Sequence, residues 1–339
     1  MNTKTSIALI SALMAAFISC DRITPEADEA VIGFGAGIPT KAVTEEFSVG
    51  STFSVRGAYT AGTSYSGTAT NVFEGTTVTM SVKSPQEWTY SPKKSWRSSS
   101  VFRFRAFSPA GAGVTFTDDF TSQAELAGFE VSSVVDSQTD LLMSDLSEVP
   151  VSSEGLPTGT SASGKAVIMN FKHILCRVKL QVEKDSGDPD EFEISSIQLT
   201  GMKNKGDFIS TSSDNGASWT GAWDVSSGSV LTCTKAFSPA LEVTSSPTQI
   251  WTDGLMLIPQ TLGSDVKVVV NYSVTHGSKV YPKTSIHTLP ATDVPAWQPG
   301  VVYTYRLKMD ENYDIIFATT TPSIEEWGTA QASGTVIIK

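Results

Sequence analysis

Apolar and polar positions alternate along Ile174–Glu183, with Ile174, Cys176, Val178, Leu180 and Val182 on one side and Leu175, Arg177, Lys179, Gln181 and Glu183 on the other. A period of two is that of a strand with one core face and one wet face. Upstream the apolar residues fall on odd positions, Val167, Met169 and Phe171, so the phase flips at His173–Ile174. The flip predicts a bulge or bend there, the kind of corner at which a strand passes between two packed sheets. Phe53, Val55 and Gly57 alternate with Ser54 and Arg56, and Phe102, Phe104 and Ala106 share one face while Arg103, Arg105 and Phe107 share the other. Val31–Gly35 reads as a short strand. Glu148–Lys165, rich in Pro, Gly, Ser and Thr and without periodicity, reads as a linker or long loop. Beyond it turn signals are dense. Asp185–Asp190 separates strand 174–183 from Phe192–Leu199 as in a hairpin, Asp214-Asn215-Gly216 is a tight turn, and Val266–Val274 and Lys279–Ser285 form a further hairpin. Val301–Tyr305, Ile315–Phe317, Ile324–Trp327 and Thr335–Ile338 supply the last apolar segments.

Composition supports the strand reading. The 339 residues are 40% hydrophobic but only 17% charged, and the chain is rich in Ser, Thr, Val and Gly, a bias toward strands and turns. The length is enough for two ordinary domains. A net charge of −11 with no basic stripe argues against a nucleic-acid partner.

The N-terminus carries Lys4, an apolar run Ile7–Ile18, and then Ser19-Cys20, which is a secretory signal too short to span a bilayer. Phe17-Ile18-Ser19-Cys20 resembles a lipobox, with Phe17 where Leu is usual. Cys20 is therefore the expected site of lipidation, anchoring the mature chain to a membrane through several acyl chains, and the acidic stretch Asp21–Glu29 reads as a tether. The three histidines, His173, His276 and His287, lack ligand spacing, so no metal and no cofactor are expected. For His173 the expectation is a strand histidine satisfied by a neighbouring backbone group. Cys176 falls on the apolar face of its strand, and whether it meets Cys233 is left open by the sequence. No nucleophile elbow, phosphate loop or zinc motif is present, and no enzyme activity is expected.

Several motifs together resemble the fimbrillin-like family, lipoprotein subunits of type V pili in Gram-negative anaerobes. Phe171, His173, Leu175 and Arg177, closing with Val178-Lys179-Leu180, match its F-x-H-x-L-x-R-V-x-L signature. Trp88, Tyr90, Pro92, Lys94 and Trp96 followed by Phe102, Phe104, Ala106 and Pro109 match its N-terminal motif. Leu255–Gln260 and Trp297–Tyr305 match two later ones. The resemblance implies an all-β chain of two tandem transthyretin-like β-sandwiches. Residues 1–19 would be the signal peptide, 20–41 the lipidated tether and first strand, 42–163 the N-terminal sandwich and 164–339 the C-terminal one. It also implies cleavage between Lys41 and Ala42 by a trypsin-like protease, with Arg56 the next candidate; Lys41 read on its own is equally a solvated loop lysine. Partners would be other pilus subunits, joined by strand donation in which Thr335–Ile338 has donor character, and surface ligands in adhesion. The chain would sit at the outer membrane, in a surface fimbrium, with stalk, tip and anchor roles all open. The alternative is a glycan-binding lipoprotein using Trp88, Tyr90 and Trp96.

Overall fold

The computed structural model describes residues 30–37, 47–159, 162–163, 166–188, 190–213, 218–309, 313–319 and 321–327. Cys20, Lys41, Ala42 and Thr335–Ile338 lie outside them. The chain is all-β. Its first half holds β1 (Gly33–Gly37), β2 (Thr52–Ala61), β3 (Thr70–Val82), β4 (Glu87–Thr89), β5 (Ser100–Ser108), β6 (Thr115–Asp118), β7 (Gln123–Glu130), β8 (Leu142–Ser144), β9 (Ser147–Val151) and β10 (Ala162–Ser163). Then come β11 (Ala166–His173), β12 (Cys176–Glu183), β13 (Glu191–Lys203), β14 (Lys205–Ser213), β15 (Ser218–Asp224), β16 (Val230–Glu242) and β17 (Thr248–Gln249). The last six are β18 (Leu255–Leu257), β19 (Lys267–His276), β20 (Lys279–Thr288), β21 (Val301–Met309), β22 (Ile315–Phe317) and β23 (Ser323–Glu326).

One sheet runs β1-β11-β8-β5-β2-β3-β4, with β10 beside β11 and β9 beside β5. A second runs β17-β12-β21-β22, a third β16-β13-β19-β20 and a fourth β15-β14-β7-β6. Two large hydrophobic cores result. Phe34, Phe53, Phe73, Phe104 and Phe171 belong to the first. The second combines Ile174–Trp327 residues with Phe107, Phe116, Leu126, Phe129 and Leu141 from the first half. The expected boundary at 163/164 is therefore not where the cores divide: β11 lies in the first sheet, and β7 pairs with β14 in a sheet shared by both halves.

The phase flip at His173–Ile174 is the corner the alternation predicts, since β11 ends at His173 in the first sheet and β12 begins at Cys176 in the second. Leu175, placed by alternation on the polar side, is fully buried with Ile174 and Cys176, because at a corner both faces of the chain meet protein. Two other expectations are corrected. Strands β12 and β13 are not a hairpin: β12 pairs with β17, β18 and β21, while β13 pairs with β16 and β19, so Asp185–Asp190 carries the chain from one sheet to another. Glu148–Val151 is not loop but most of β9, paired with β5. The hairpin β19–β20 forms as expected; β14 and β15 pair antiparallel, and the turn expected at Asp214-Asn215-Gly216 lies outside the described residues.

Strand β5 is buried along its whole length, arginines included. The face carrying Arg103 and Arg105 is covered by a strap running from β6 to Phe120, pinned at alternate residues by three guanidinium groups. Arg56 donates to the Phe116 carbonyl (3.1 Å), Arg105 to the Asp118 carboxylate (3.2 Å) and Arg103 to the Phe120 carbonyl (2.8 Å). Arg103 also holds Glu148 on β9 at 2.6 Å.

Candidate functional site: the first strand and its groove

The segment Ala30–Gly37 reads Ala-Val-Ile-Gly-Phe-Gly-Ala-Gly, so side chains larger than hydrogen alternate with glycines from Ile32 onward. In the period-two geometry of a strand this sends Ile32, Phe34 and Ala36 to one face, and all three are buried in the first core. One edge of β1 pairs in parallel with β11, from Gly33 opposite Ala166 to Gly37 opposite Asn170. The other edge is bonded to the segment after β4. Ile32 N–H donates to the Lys94 carbonyl (2.8 Å), and Trp96 N–H donates to the Ala30 carbonyl (3.0 Å). Residues near both ends of the first sheet are thereby joined through a single short strand.

Phe34 is the plug of this groove. Its ring meets Phe73 at 5.4 Å, Tyr90 at 5.6 Å, Phe53 at 5.8 Å and Phe104 at 6.0 Å, each edge to face. That is the arrangement in which ring quadrupoles attract. Tyr90 adds a polar fastening: its hydroxyl donates to the Ile32 carbonyl (2.7 Å) and accepts from Lys94 N–H (3.2 Å). Burial pushes the Tyr90 hydroxyl above its ordinary range, so it stays protonated and remains a donor. Sequence alternation finds the strand but not its plug. The available signal is that Phe34 is the sole aromatic between Ala30 and Glu46.

Trp88, Tyr90 and Trp96 line the same core, each only 7% exposed. The glycan-binding alternative needs their ring faces open to a sugar, and the structure instead packs Trp88 on Phe47 and Phe53 and Trp96 on Phe102 and Phe104. Arg56, the second candidate cleavage residue, sits within β2 and is bonded to the strap.

The signature residues of β11 and β12 meet at the corner between sheets. The partner of His173 is a carboxylate and not the expected backbone group: its Nδ1 lies 2.6 Å from Asp140 Oδ2. Its ring stacks on Trp327 at 4.0 Å, and the Arg177 guanidinium lies 4.2 Å from the Trp327 ring centre. Gly300, with φ +69°, ties this cluster together. Its N–H donates to the Leu175 carbonyl (2.8 Å) and its carbonyl accepts from Trp327 N–H (2.7 Å). A side chain there would press on the His173 carbonyl, 3.3 Å from an added Cβ.

Cys176 and Cys233 are both buried and unpaired. Cys176 Sγ donates to the Leu257 carbonyl (3.3 Å), and burial pushes both thiols up, Cys233 to about 11, so neither is a ready thiolate. Among the described residues no group of three His, Cys, Asp or Glu side chains is arranged to hold a metal ion.

The geometry defines a β-sandwich protein whose first core is completed by one separable-looking strand. A family model described as fimbrillin-like matches residues 40–327, and the chain belongs to that family. Among solved structures, a candidate cell adhesion protein from Bacteroides uniformis is similar at 14% identity over 88% of this chain and 99% of that one, with a TM-score of 0.47. Another from Bacteroides ovatus is similar at 14% identity over 89% and 99%, TM-score 0.46. The fimbrial anchor protein Mfa2 from Porphyromonas gingivalis is similar at 13% identity over 88% and 98%, TM-score 0.30. No curated protein matches the sequence.

Proposed function

We propose that this chain is a structural subunit of a surface fimbrium that is exported as a lipoprotein, anchored at the outer membrane through lipid on Cys20, and joined to other pilus subunits by exchange of its first strand. Its work is assembly and adhesion, not catalysis. The observation that carries the reading is β1 itself. It fills a deep apolar groove, yet its only direct chain connection to the remainder of the sandwich passes through residues 38–46, which contain Lys41-Ala42.

Magnitudes favour release of β1 once that connection is cut. Burial of Ile32 and Phe34 contributes about 1.5–3 kcal/mol each, while Gly33, Gly35 and Gly37 each weaken a strand by roughly 0.5–1 kcal/mol relative to alanine. While β1 is covalently attached its effective concentration at the groove is high. After cleavage, staying bound carries the cost of association, about 4–15 kcal/mol in lost translational and rotational freedom. The groove would then expose unpaired N–H and C=O groups of β11, which a strand donated by a neighbouring subunit satisfies by β-augmentation. Thr335–Ile338, apolar and β-branched, has the character of such a donor.

The test treats the soluble mature protein with limiting trypsin. Cleavage after Lys41 should give higher-order species on native gels, and Lys41→Ala should block both. If Lys41→Ala is cut and assembles like wild type, maturation does not run through this site. Anchoring is checked in cells by metabolic labelling with a palmitate analogue, which Cys20→Ala should abolish.

A further inference from the structure

We infer that the groove occupied by β1 is selective for an aromatic side chain, and that its preferred incoming strand belongs to a different subunit presenting Phe, Tyr or Trp at the centre of its inward-facing row. The inference rests on the strand-exchange reading above and specifies the partner it requires.

The groove is shaped around a particular sequence of sizes. Reading along β1, the inward positions carry an aliphatic residue (Ile32), an aromatic (Phe34) and a small residue (Ala36), all buried. The central position is walled by four rings, those of Phe53, Phe73, Tyr90 and Phe104, each presented edge to face with Phe34. Three of those rings also pack on one another or on the same neighbours: Phe73 lies 5.4 Å from Tyr90 and 6.0 Å from Phe104. Walls fixed by mutual packing do not close around a smaller guest, because a protein interior is dense and relaxes only in part when a side chain shrinks. An aliphatic residue at the Phe34 position therefore leaves a void and forfeits four ring contacts.

This bears directly on what enters. Residues 328–339 contain no aromatic, and Thr335–Ile338 offers only Thr, Val and Ile to any inward row. A second copy donating that segment would seat a branched aliphatic side chain where the groove is built for a ring. A strand with an aromatic at that position restores the full set of contacts and competes best for the site.

The experiment uses the full mature chain cut by trypsin between Gly37 and Phe47, with the cut verified by mass spectrometry. Three fluorescent peptides are titrated against it: the Ala30–Gly37 sequence, the same sequence carrying Phe34→Ile, and the Ser333–Lys339 sequence. Anisotropy should show the first peptide entering, the Phe34→Ile peptide binding roughly tenfold or more weakly, as trimming a buried ring in a packed core implies, and the Ser333–Lys339 peptide no tighter than that. Equal binding of the Phe and Ile peptides, or tighter binding of the Ser333–Lys339 peptide, overturns the aromatic selectivity and leaves strand exchange standing. Failure of all three to enter, the native sequence included, overturns strand exchange itself and the selectivity with it.

Discussion

Arg105 and Asp118 form an ion pair in which both side chains are 0% exposed, and the two differ in what they can do when the pair is disturbed. A guanidinium keeps its proton at any ordinary pH, whereas a carboxyl can discharge. Burial pushes Asp118 up to about 6 from 3.8, against the opposing pull of Arg105 and the Phe120 N–H. Asp119 beside it also raises the value, and Arg56 lowers it. Because the folded-state value lies above the unfolded one, the stability linked to this group is present in full below about pH 4 and is lost as pH rises through about 6. Arg105→Met removes the counter-charge and should push the carboxyl higher still. Its destabilisation should therefore grow between about pH 6 and pH 8, reaching about 3 kcal/mol at the upper end, and shrink toward pH 5, where Asp118 is neutral in both proteins. Urea unfolding at several pH values measures this; a loss independent of pH would mean that Asp118 is not coupled to Arg105. The alternation along β5 separates the arginines from Phe102 and Phe104, but nothing local reveals that the arginine face is also covered. That cover is the strap ending at Phe120, and a period-two pattern reports which residues share a face, not what lies on it.

Strand β23 is held to β21 by four residue pairs, Val301–Glu326 through Thr304–Ser323, yet its own side chains are exposed. Its anchor is the next residue, Trp327, buried against the His173 ring and the Arg177 guanidinium. These contacts combine ring stacking with a cation–π attraction of about 0.5–2 kcal/mol. Trp327→Ala should thus lower stability by about 3–5 kcal/mol and release β23 first. Hydrogen exchange is the measurement: protection should fall at residues 301–304 and 323–326 while β13 and β19 keep theirs. If β23 stays protected in the variant, its backbone pairing alone holds it and the stack is dispensable. The sequence made this part of the molecule legible in pieces. His173, Arg177 and the Ile324–Trp327 segment each stand out in the pattern, Gly300 lies within the Trp297–Tyr305 motif, and the phase flip marks the corner. Their convergence was not readable, because β12 and β21 pair in parallel across more than a hundred residues of chain, and β-ladders between distant segments leave no periodic trace of their partner. The same reason explains the mistaken hairpin: Asp185–Asp190 has the turn composition of a hairpin, and composition does not distinguish a turn within a sheet from a crossing between two.

The two cores exchange strands in both directions, and this governs how the molecule should come apart. From the C-terminal side, β11 pairs with β1 and β8 in the first sheet. From the N-terminal side, β7 pairs with β14, and Phe116, Leu126 and Phe129 enter the second core. A linker rich in Pro, Gly and Ser marks where the backbone is easiest to cut, but the contacts that cross it are what decide whether a cut separates anything. A sequence-specific protease site inserted after the exposed Gly159 should be cleaved to completion under native conditions. The two fragments should nevertheless elute as one species from a sizing column and part only in denaturant. Each fragment alone would expose an open sheet edge and an incomplete core: the first sheet would lose β11, and the shared sheet would lose either β7 with β6 or β14 with β15. Separation of the fragments in plain buffer would show that the crossing strands add little to stability and that the two halves fold as independent units. Co-elution would show that the division of labour runs along the cores, with β11 serving the first core and the strap and β7 serving the second, whatever the order in which the chain supplies them.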